Sequence, residues 1–194
     1  MTRLAAVLVR QHMAQAAPPG VDPREFLEAM AEDTYEMVAG LELVTPVLIT
    51  SVPGLEEIVW PGTEIVTIAE DEPLQAVLGR LKADQAAVIC GDAPDLPPLL
   101  VGKLFRELGR AEIAVCPAEN GGAVALACAL PAPAWAAPDL DDENVVGALR
   151  AQAPGPRRVA TTPGWHRLRT PQDVERLDPG LEGWDNTRAL ISAR

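Results

Sequence analysis

The feature that most constrains the fold is the segment 86–98, AAVICGDAPDLPP, in which an apolar run stops abruptly at a glycine. The run 86–90 predicts a buried strand of a parallel sheet, because such strands are covered on both faces and are apolar throughout. Two carboxylates, Asp92 and Asp95, follow Gly91 within four residues, and two prolines then open an amphipathic helix. Open α/β sheets bind ligands in the crevice beyond the carboxyl ends of their strands. The segment therefore predicts a ligand site at Asp92.

Similar apolar runs recur along the chain and alternate with helical patterns. Strands are predicted at 4–9, 44–51, 64–68, 86–90, 112–116, 123–130 and 157–162. Helices are predicted at 23–39, 73–82, 97–108 and 141–150, and another helix start lies at 170–173. This alternation, with a late antiparallel element, predicts an α/β fold, a three-layer α/β/α sandwich around a mostly parallel mixed sheet. The length of 194 residues, with no internal repeat, predicts one domain over 1–194.

Charge and composition narrow the possible functions. The net charge of -12 argues against nucleic acid or an anionic membrane as a partner, because either would repel the surface. The three cysteines lie far apart in apolar segments, which predicts reduced core thiols in a cytoplasmic protein. Two histidines and unpaired cysteines do not support a His or Cys metal centre, and neither serine lies in the G-x-S-x-G motif of serine hydrolases.

The sequence contains no segment that predicts a membrane span. The apolar run 4–9 is only six residues long before Arg10 interrupts it. The uncharged segment 120–138 is broken by two glycines and three prolines. These patterns predict neither a secretory signal nor a membrane helix, and we expect a cytoplasmic protein.

The residues around the central strand have structural as well as functional interpretations. Asp92 and Asp95 both precede the helix that begins near Pro97, and a carboxylate in that position often caps a helix. Asp95 is the better candidate for the cap, which leaves Asp92 for a ligand. Arg10 is the basic side chain next to the first strand, but the following loop has its single glycine far away at Gly20. Such a loop is poorly suited to bind phosphate.

Three segments, in this order, resemble a known family. ICGDAPDLPP at 89–98 is similar to its G-x-D-x-P-x-L-P strand end, and PAENGG at 117–122 to its P-A-x-D-G-G turn. WHRLRTPQDV at 165–174 is similar to its D-x-D-T-P-E-D-L tail. The family is the molybdenum-cofactor guanylyltransferase-like group of the glycosyltransferase-A superfamily, which includes phospholactate guanylyltransferases. The resemblance covers about residues 23–177 and implies the nucleotide-diphospho-sugar transferase fold.

The resemblance also implies a reaction and a set of site residues. Such proteins transfer a nucleotidyl or glycosyl group from a nucleoside triphosphate or a nucleotide sugar. Carried over by position, Asp92 is expected to bind Mg²⁺, which prefers one or two carboxylates and completes its shell with phosphate and water. The other expected nucleotide-binding residues are Arg10, Gly91, Glu119, Asn120, Gly121 and Gly122. The paired glycines allow close approach of the backbone either to a ligand or to a neighbouring strand, and both interpretations stay open.

The chain departs from the family pattern at several positions. The segment 11–17 stands in place of a glycine-rich, basic loop, and Asn120 replaces an acidic residue. Ala123 stands where an aromatic residue often follows the glycines, and Arg167 and Arg169 replace the two aspartates of the tail. Guanidinium groups that replace a cation beside a diphosphate would account for these exchanges. The alternative is that both arginines are exposed residues of the tail.

Two hypotheses about function follow. The first is a nucleotide-dependent transferase with altered chemistry, in which Asp92, Arg167 and Arg169 act on a nucleotide or nucleotide sugar. The second is a non-catalytic descendant of the same fold that serves as a binding or partner module, which the loss of the phosphate loop favours. The sequence indicates neither the base, the donor and the acceptor nor the oligomeric state.

Overall fold

A seven-stranded mixed sheet forms the centre of the protein, and the computed structural model describes residues 1–193. The strands are β1 (Arg3–Val9), β2 (Thr45–Thr50), β3 (Glu64–Thr67), β4 (Gln85–Cys90), β5 (Ile113–Pro117), β6 (Ala123–Ala129) and β7 (Val159–Thr161). The helices are α1 (Pro23–Ala39), α2 (Leu74–Leu78), α3 (Pro98–Glu107), α4 (Val145–Gln152) and α5 (Asp185–Ser192). Short 3-10 segments lie at Gln11–Ala16, Glu56–Ile58, Pro156–Arg158 and Pro171–Arg176.

The strand order is β3-β2-β1-β4-β6-β5-β7, and β6 runs antiparallel to both of its neighbours. The other neighbouring pairs are parallel. The chain leaves β1 toward β2 but leaves β4 toward β5, in the opposite direction across the sheet. Because crossovers between parallel strands are right-handed, α1 and α3 lie on opposite faces. The predicted α/β fold with a mostly parallel mixed sheet is confirmed.

The reversal of direction between β1 and β4 is a topological switch point. The two strands are paired along their length, from Arg3 opposite Gln85 to Leu8 opposite Cys90. Their following segments turn away from each other, which opens a crevice beyond their carboxyl ends. The fold therefore positions a site where the sequence analysis expects one.

The start of α1 follows from its local sequence. Asp22 accepts hydrogen bonds from the backbone N–H groups of Arg24 (2.9 Å) and Glu25 (3.0 Å), and Pro23 occupies the first helical position, where its missing N–H costs nothing. One face of the helix is buried against the sheet and the C-terminal tail. The predicted cap and helix are confirmed.

The predicted cap on α3 is wrong. Pro97 is the N-cap residue of α3, and no side chain caps the helix. The Asp95 carboxylate is turned toward the C-terminal tail, where it accepts hydrogen bonds from the Trp165 indole (3.1 Å), the His166 imidazole (2.9 Å) and the backbone N–H of Asp178 (3.1 Å). Three hydrogen bonds from the tail stabilise the Asp95 carboxylate more than one bond to the start of α3 would. Asp95 therefore anchors the tail to the end of β4.

The C-terminal helix α5 has no local cap, and the sequence analysis does not predict it. Its free N–H groups are capped by Asp33 of α1, which accepts from the backbone of Asn186 (3.1 Å) and Thr187 (2.7 Å). Asp33 is fully buried, and burial raises the pKa of its carboxyl. Because the capping residue lies far away in the sequence, no pattern near α5 indicates the helix.

The tail packs over a second, smaller core. This cluster joins the Gln11–Ala16 segment, α1 and the tail, and its buried members are Ala16, Phe26, Met30, Leu168, Leu177 and Trp184. The sequence analysis treats 11–17 as a loop, but its buried Met13 and Ala16 make it a 3-10 segment. The tail consequently folds back across the carboxyl edge of the sheet.

The cysteines agree with the expectation from composition. Cys90, Cys116 and Cys128 are free and buried, which confirms the prediction of core thiols. Within residues 1–193, no helix combines the length and the apolar character needed to cross a membrane.

Gly91, predicted to contact a nucleotide, is packed between β1 and α1. Its N–H donates to the Leu8 carbonyl (2.8 Å), and a Cβ at this position would lie 2.8 Å from Val9 Cγ2. We expect Gly91→Ala to lower the free energy of unfolding by about 1–3 kcal/mol because Val9 and the backbone of β1 must move to admit the methyl group. Urea denaturation measures the change.

Gly102→Ala is the matched control for this prediction. Gly102 is exposed within α3, and a Cβ there would meet no atom within 4 Å. The substitution should raise stability by about 0.5–1 kcal/mol, since alanine loses less backbone entropy than glycine in a helix. If both variants shift the free energy of unfolding in the same direction, close packing of Gly91 against β1 does not limit the residue at this position.

Candidate ligand site at the carboxyl edge of the sheet

A cavity of about 410 Å³ lies at the switch point between β1 and β4. Leu8 and Cys90 line it from the two strands, the segment 70–75 after β3 contributes further lining, and so does the segment 137–141 after β6. Arg10, His12, Met13 and Arg167 complete the lining. The volume falls within the range of small-molecule sites.

Asp92 and Arg167 form a buried, bidentate ion pair beside this cavity. Arg167 Nε lies 2.8 Å from Asp92 Oδ1, and Nη2 lies 2.9 Å from Oδ2. Each residue is only 1% exposed. Burial opposes the charge on the guanidinium, but the Asp92 carboxylate outweighs it and holds the pKa of Arg167 well above its ordinary value. Both oxygens of Asp92 are therefore engaged by a permanent cation of the same chain.

The same guanidinium reaches the loop that follows β6. Arg167 Nη1 donates to Asp141 Oδ1 (2.8 Å) and to the Leu140 carbonyl (3.1 Å). Arg169 donates to the Gly121 carbonyl (3.1 Å) and to the carbonyl of Asp141 (3.4 Å). The interpretation of these arginines as exposed tail residues is thus wrong for the buried Arg167. They fasten the tail to the edge of the sheet.

The glycine turn is filled by the chain itself. Gly121 and Gly122 have φ angles of 97° and 79°, a region that favours glycine. A Cβ on Gly122 would overlap the Leu140 carbonyl. The amide of Asn120 pairs with the backbone of Arg167, donating to its carbonyl (2.8 Å) and accepting from its N–H (3.3 Å). Of the two interpretations left open for the glycines, the structure places a protein segment there.

The remaining predicted residues are Arg10, which lines the cavity, and Glu119, which does not. The Arg10 guanidinium donates to the backbone carbonyls of Ala69 (3.2 Å), Glu70 and Glu72 (2.6 Å), so it ties the segment after β3 to the end of β1. Although Arg10 lines the cavity, its Nη1 and Nη2 groups donate to backbone carbonyls of the protein. Glu119 is exposed and lies outside the cavity lining.

Three cavity residues that the sequence analysis missed are His12, Glu70 and Asp141. His12 Nδ1 lies 2.7 Å from Glu70 Oε1, and His12 Nε2 lies 3.2 Å from Asp141 Oδ2. Glu70 also accepts hydrogen bonds from the backbone of Gln11 (2.8 Å) and His12 (3.0 Å) and from the Ser51 hydroxyl. A continuous polar chain therefore runs from Ser51 to Arg167.

These contacts shift the pKa values of all three groups. The hydrogen bond to Asp141 raises the pKa of His12 above 6.5, and Glu70 adds to this against partial burial. Burial opposes the charge of Glu70, but hydrogen bonds from Ser51, His12 and Gln11 lower its pKa to about 2. The bond to His12 and the charge of Arg167 hold the pKa of Asp141 well below its usual range. The arrangement stabilises a protonated His12 between two carboxylates.

Only part of this cluster has a sequence signal. His12 and Glu70 each lie shortly after a strand that ends at the carboxyl edge, so their positions after β1 and β3 could have suggested them. Asp141 follows the proline-rich segment 131–138, which has no pattern that predicts where it returns to the sheet.

The surroundings of Asp92 do not fit a divalent cation. Such an ion would have to share both carboxylate oxygens with the Arg167 guanidinium and would lie against its positive charge. In the described part of the chain, no three His, Cys, Asp or Glu side chains are grouped so as to hold a metal ion. The binding of Mg²⁺ by Asp92 stays a prediction that this geometry does not favour.

Negative groups outnumber positive ones around the cavity. Five carboxylates line it, namely Glu70, Asp71, Glu72, Asp139 and Asp141. Three basic side chains line it, namely Arg10, His12 and Arg167. The excess of two carboxylates, even with His12 protonated, disfavours ligands with many negative charges.

Comparisons with solved structures identify the fold. A protein from Desulfovibrio desulfuricans assigned to the nucleotide-diphospho-sugar transferases superimposes with a TM-score of 0.66 at 15% identity, with 100% of this chain and 98% of the other covered. CMP:2-keto-3-deoxy-manno-octonic acid synthetase in complex with CTP superimposes with a TM-score of 0.60 at 14% identity, with 100% and 99% covered. A manganese complex of Rv0371c from Mycobacterium tuberculosis gives 0.53 at 18% identity, with 99% and 98% covered.

These likenesses establish the nucleotide-diphospho-sugar transferase fold, which confirms the fold that the sequence resemblance implies. No protein-family profile and no curated protein matches the sequence. The narrower resemblance to the molybdenum-cofactor guanylyltransferase-like group stays a prediction.

The buried pair at the site yields a test of stability. We expect Arg167→Met to lower the free energy of unfolding by about 3–5 kcal/mol, because it leaves the Asp92 carboxylate buried without a partner. Arg158→Met is the matched control, since Arg158 is 55% exposed and pairs with Glu112 at the surface. That change should cost about 0–1 kcal/mol. Equal losses in urea denaturation would show that burial of the pair adds nothing.

Proposed function

We propose that this protein binds a nucleotide or a nucleotide sugar in the cavity between β1 and β4 and acts as a nucleotide-dependent transferase. The observation that carries the proposal is the position of the cavity, which lies at the switch point where open α/β sheets bind ligands. The fold supports it, because a neighbour with this fold is a CMP-sugar synthetase in complex with CTP.

The lining divides the cavity into an apolar and a charged part. Leu8, Met13, Leu74 and Cys90 offer apolar surface suited to the flat face of a base or the ring of a sugar. Arg167 supplies a fixed positive charge beside it, oriented by Asp92 and Asp141. A charge held in place in this way needs no reorganisation when negative charge develops on a bound group. We infer that the guanidinium of Arg167 stabilises negative charge on the bound ligand in place of a divalent cation.

The charge balance of the cavity bears on the donor. A nucleoside triphosphate carries more negative charge than a nucleotide sugar, which has one or two phosphates and whose terminal phosphate is esterified to the sugar. Because carboxylates outnumber basic groups in the lining, the cavity favours the less charged donor. Within the proposed function, nucleotide sugars are therefore the better candidates.

A second candidate function is a non-catalytic binding module. The observation that favours it is that polar groups expected to meet a nucleotide already have partners within the chain. Both oxygens of Asp92 bind Arg167, and the backbone N–H groups of Gln11 and His12, directly after β1, donate to Glu70. Such a module would bind its ligand without converting it.

Thermal denaturation with nucleoside triphosphates and nucleotide sugars, each with Mg²⁺ or with EDTA, tests the binding. A ligand at 100 times its Kd stabilises the native state by about 2.7 kcal/mol. For a chain of this size that raises Tm by roughly 5–10 °C. We expect a rise with a nucleotide sugar that persists in EDTA. A panel without any shift contradicts the proposed function.

Two substitutions of alanine by tryptophan show whether the ligand occupies the cavity. Ala137→Trp adds an indole to the lining and should abolish the shift. Ala134→Trp is the matched control, because Ala134 is exposed in the same loop but lies outside the lining. It should retain the full shift. If the two variants respond alike, the ligand binds elsewhere.

Turnover separates the two candidate functions. The protein is incubated with the stabilising ligand and a protein-free small-molecule extract as the source of acceptors, and the ligand is followed by chromatography. Consumption of the ligand with release of nucleoside diphosphate, nucleoside monophosphate or pyrophosphate supports a transferase. Binding without consumption supports the module.

A further inference from the structure

His12 bridges two walls of the cavity. Its imidazole contacts Glu70, in the segment after β3, and Asp141, in the loop after β6. All three side chains line the cavity and are between 37% and 41% exposed, so they lie at its boundary with solvent. We call this set of three residues the His12 bridge.

The two contacts of the His12 ring favour its protonated form. Both ring nitrogens face carboxylate oxygens, and a carboxylate can only accept a hydrogen bond. The neutral imidazole has one N–H donor, whereas the imidazolium has two. Only the protonated form of His12 can therefore donate to Glu70 and Asp141 together.

The two contacts of His12 differ in how firmly their acceptors are held. Glu70 lies 2.7 Å from the ring and accepts further hydrogen bonds from the backbone of Gln11 and His12 and from the Ser51 hydroxyl. Asp141 Oδ2 lies 3.2 Å from the ring. Its other oxygen is held by Arg167. When His12 loses a proton, the contact that breaks is the one to Asp141.

We propose that the His12 bridge is a pH-sensitive closure of the cavity, in which deprotonation of His12 breaks the link between the loop 137–141 and the Gln11–Ala16 segment and leaves the loop held by Arg167 and Arg169 on this side. As far as it concerns ligand entry, this inference rests on the proposed function. The opening of the loop does not depend on it.

Other charged groups around the cavity act on the same equilibrium. The remaining charged side chains of the lining are Arg10, Asp71, Glu72, Asp139 and Arg167. The three carboxylates favour protonated His12, and the two arginines oppose it. Arg10 and Arg167 are each held by acceptors of the protein, so they stay in place when the bridge opens.

The direction of the pH dependence follows from linkage. Because the pKa of His12 is raised in the folded protein, its contribution to stability is fully present below about pH 6.5. It is lost as the pH rises through the raised value. Each further pH unit lowers the protonated fraction about ten-fold. The bridge is therefore closed in mild acid and open in alkaline solution.

NMR titration of the imidazoles tests the bridge directly, because His12 and His166 are the only histidines in the chain. His12→Gln assigns the His12 signal by its loss. We expect His12 to titrate above pH 6.5 and Asp141→Asn to lower that midpoint. Glu143→Gln is the matched control, an exposed carboxylate of the same region outside the lining, and should leave the midpoint nearly unchanged. A His12 midpoint at or below 6.5, or equal effects of both variants, would overturn the proposal.

Hydrogen–deuterium exchange of the peptide 139–144 measures the opening of the loop. After correction for the intrinsic pH dependence, exchange in the wild type should rise across the His12 titration. His12→Gln cannot become charged, so its exchange should be fast at every pH. A wild-type profile without a rise, or a variant that matches the wild type at low pH, contradicts the closure. If His12→Gln does not fold, the wild-type exchange profile and the titration of Asp141→Asn still show whether deprotonation of His12 opens the cavity.

The two proposals fail separately. Closure predicts that a ligand which stabilises the wild type binds more tightly above the His12 midpoint, and that binding to His12→Gln does not change there. If no nucleotide or nucleotide sugar binds at any pH but the exchange profile rises as expected, the proposed function fails and the closure stands. If a nucleotide sugar binds and exchange does not change with pH, the closure fails alone.

Discussion

The pairing of Asp92 with Arg167 is the interaction on which the rest of the carboxyl edge depends. A carboxylate at the end of the central strand, almost without exposure, needs a partner because an isolated buried charge costs several kcal/mol. The guanidinium satisfies both of its oxygens through Nε and Nη2, and its Nη1 donates to Asp141 and Leu140. One side chain from the tail thereby fixes the end of β4 and the loop after β6.

The site combines the position of a nucleotide pocket with an unusual distribution of charge. The cavity lies where the fold opens a crevice, yet its arginines are turned toward acceptors of the protein, and its lining has more carboxylates than basic groups. Related folds meet the negative charge of a nucleotide with a glycine-rich loop and a cation, as the sequence resemblance implies. In this chain, Glu70 accepts hydrogen bonds from the backbone N–H groups that follow β1, and Arg167 binds both oxygens of Asp92.

The sequence predicts the sheet well and the site only in part. Buried strands such as 86–90 and capped helix starts such as Asp22 depend on neighbouring residues, and these predictions are confirmed. Asp95 and α5 depend on contacts with residues far along the chain, which no local pattern reveals. The resemblance singles out the segments containing Asp92 and Arg167, but it does not predict that these two side chains pair. His12 and Glu70 meet because β1 and β3 end at the same edge of the sheet. Asp141 joins them because the loop after β6, a strand that ends at the opposite edge, returns to the carboxyl edge beside Ala123.

The tail has a consequence for how the chain acquires its structure. Residues 163–193 bring hydrogen-bond donors to three buried carboxylates that lie earlier in the sequence, Asp33, Asp92 and Asp95. A chain synthesised only as far as residue 162 lacks these donors, so its central strand and first helix must keep those acids hydrated or protonated until residues 163–193 emerge. Sheet formation can begin early, but the carboxyl edge closes last. The cavity therefore takes shape only after residues 163–193 have been synthesised.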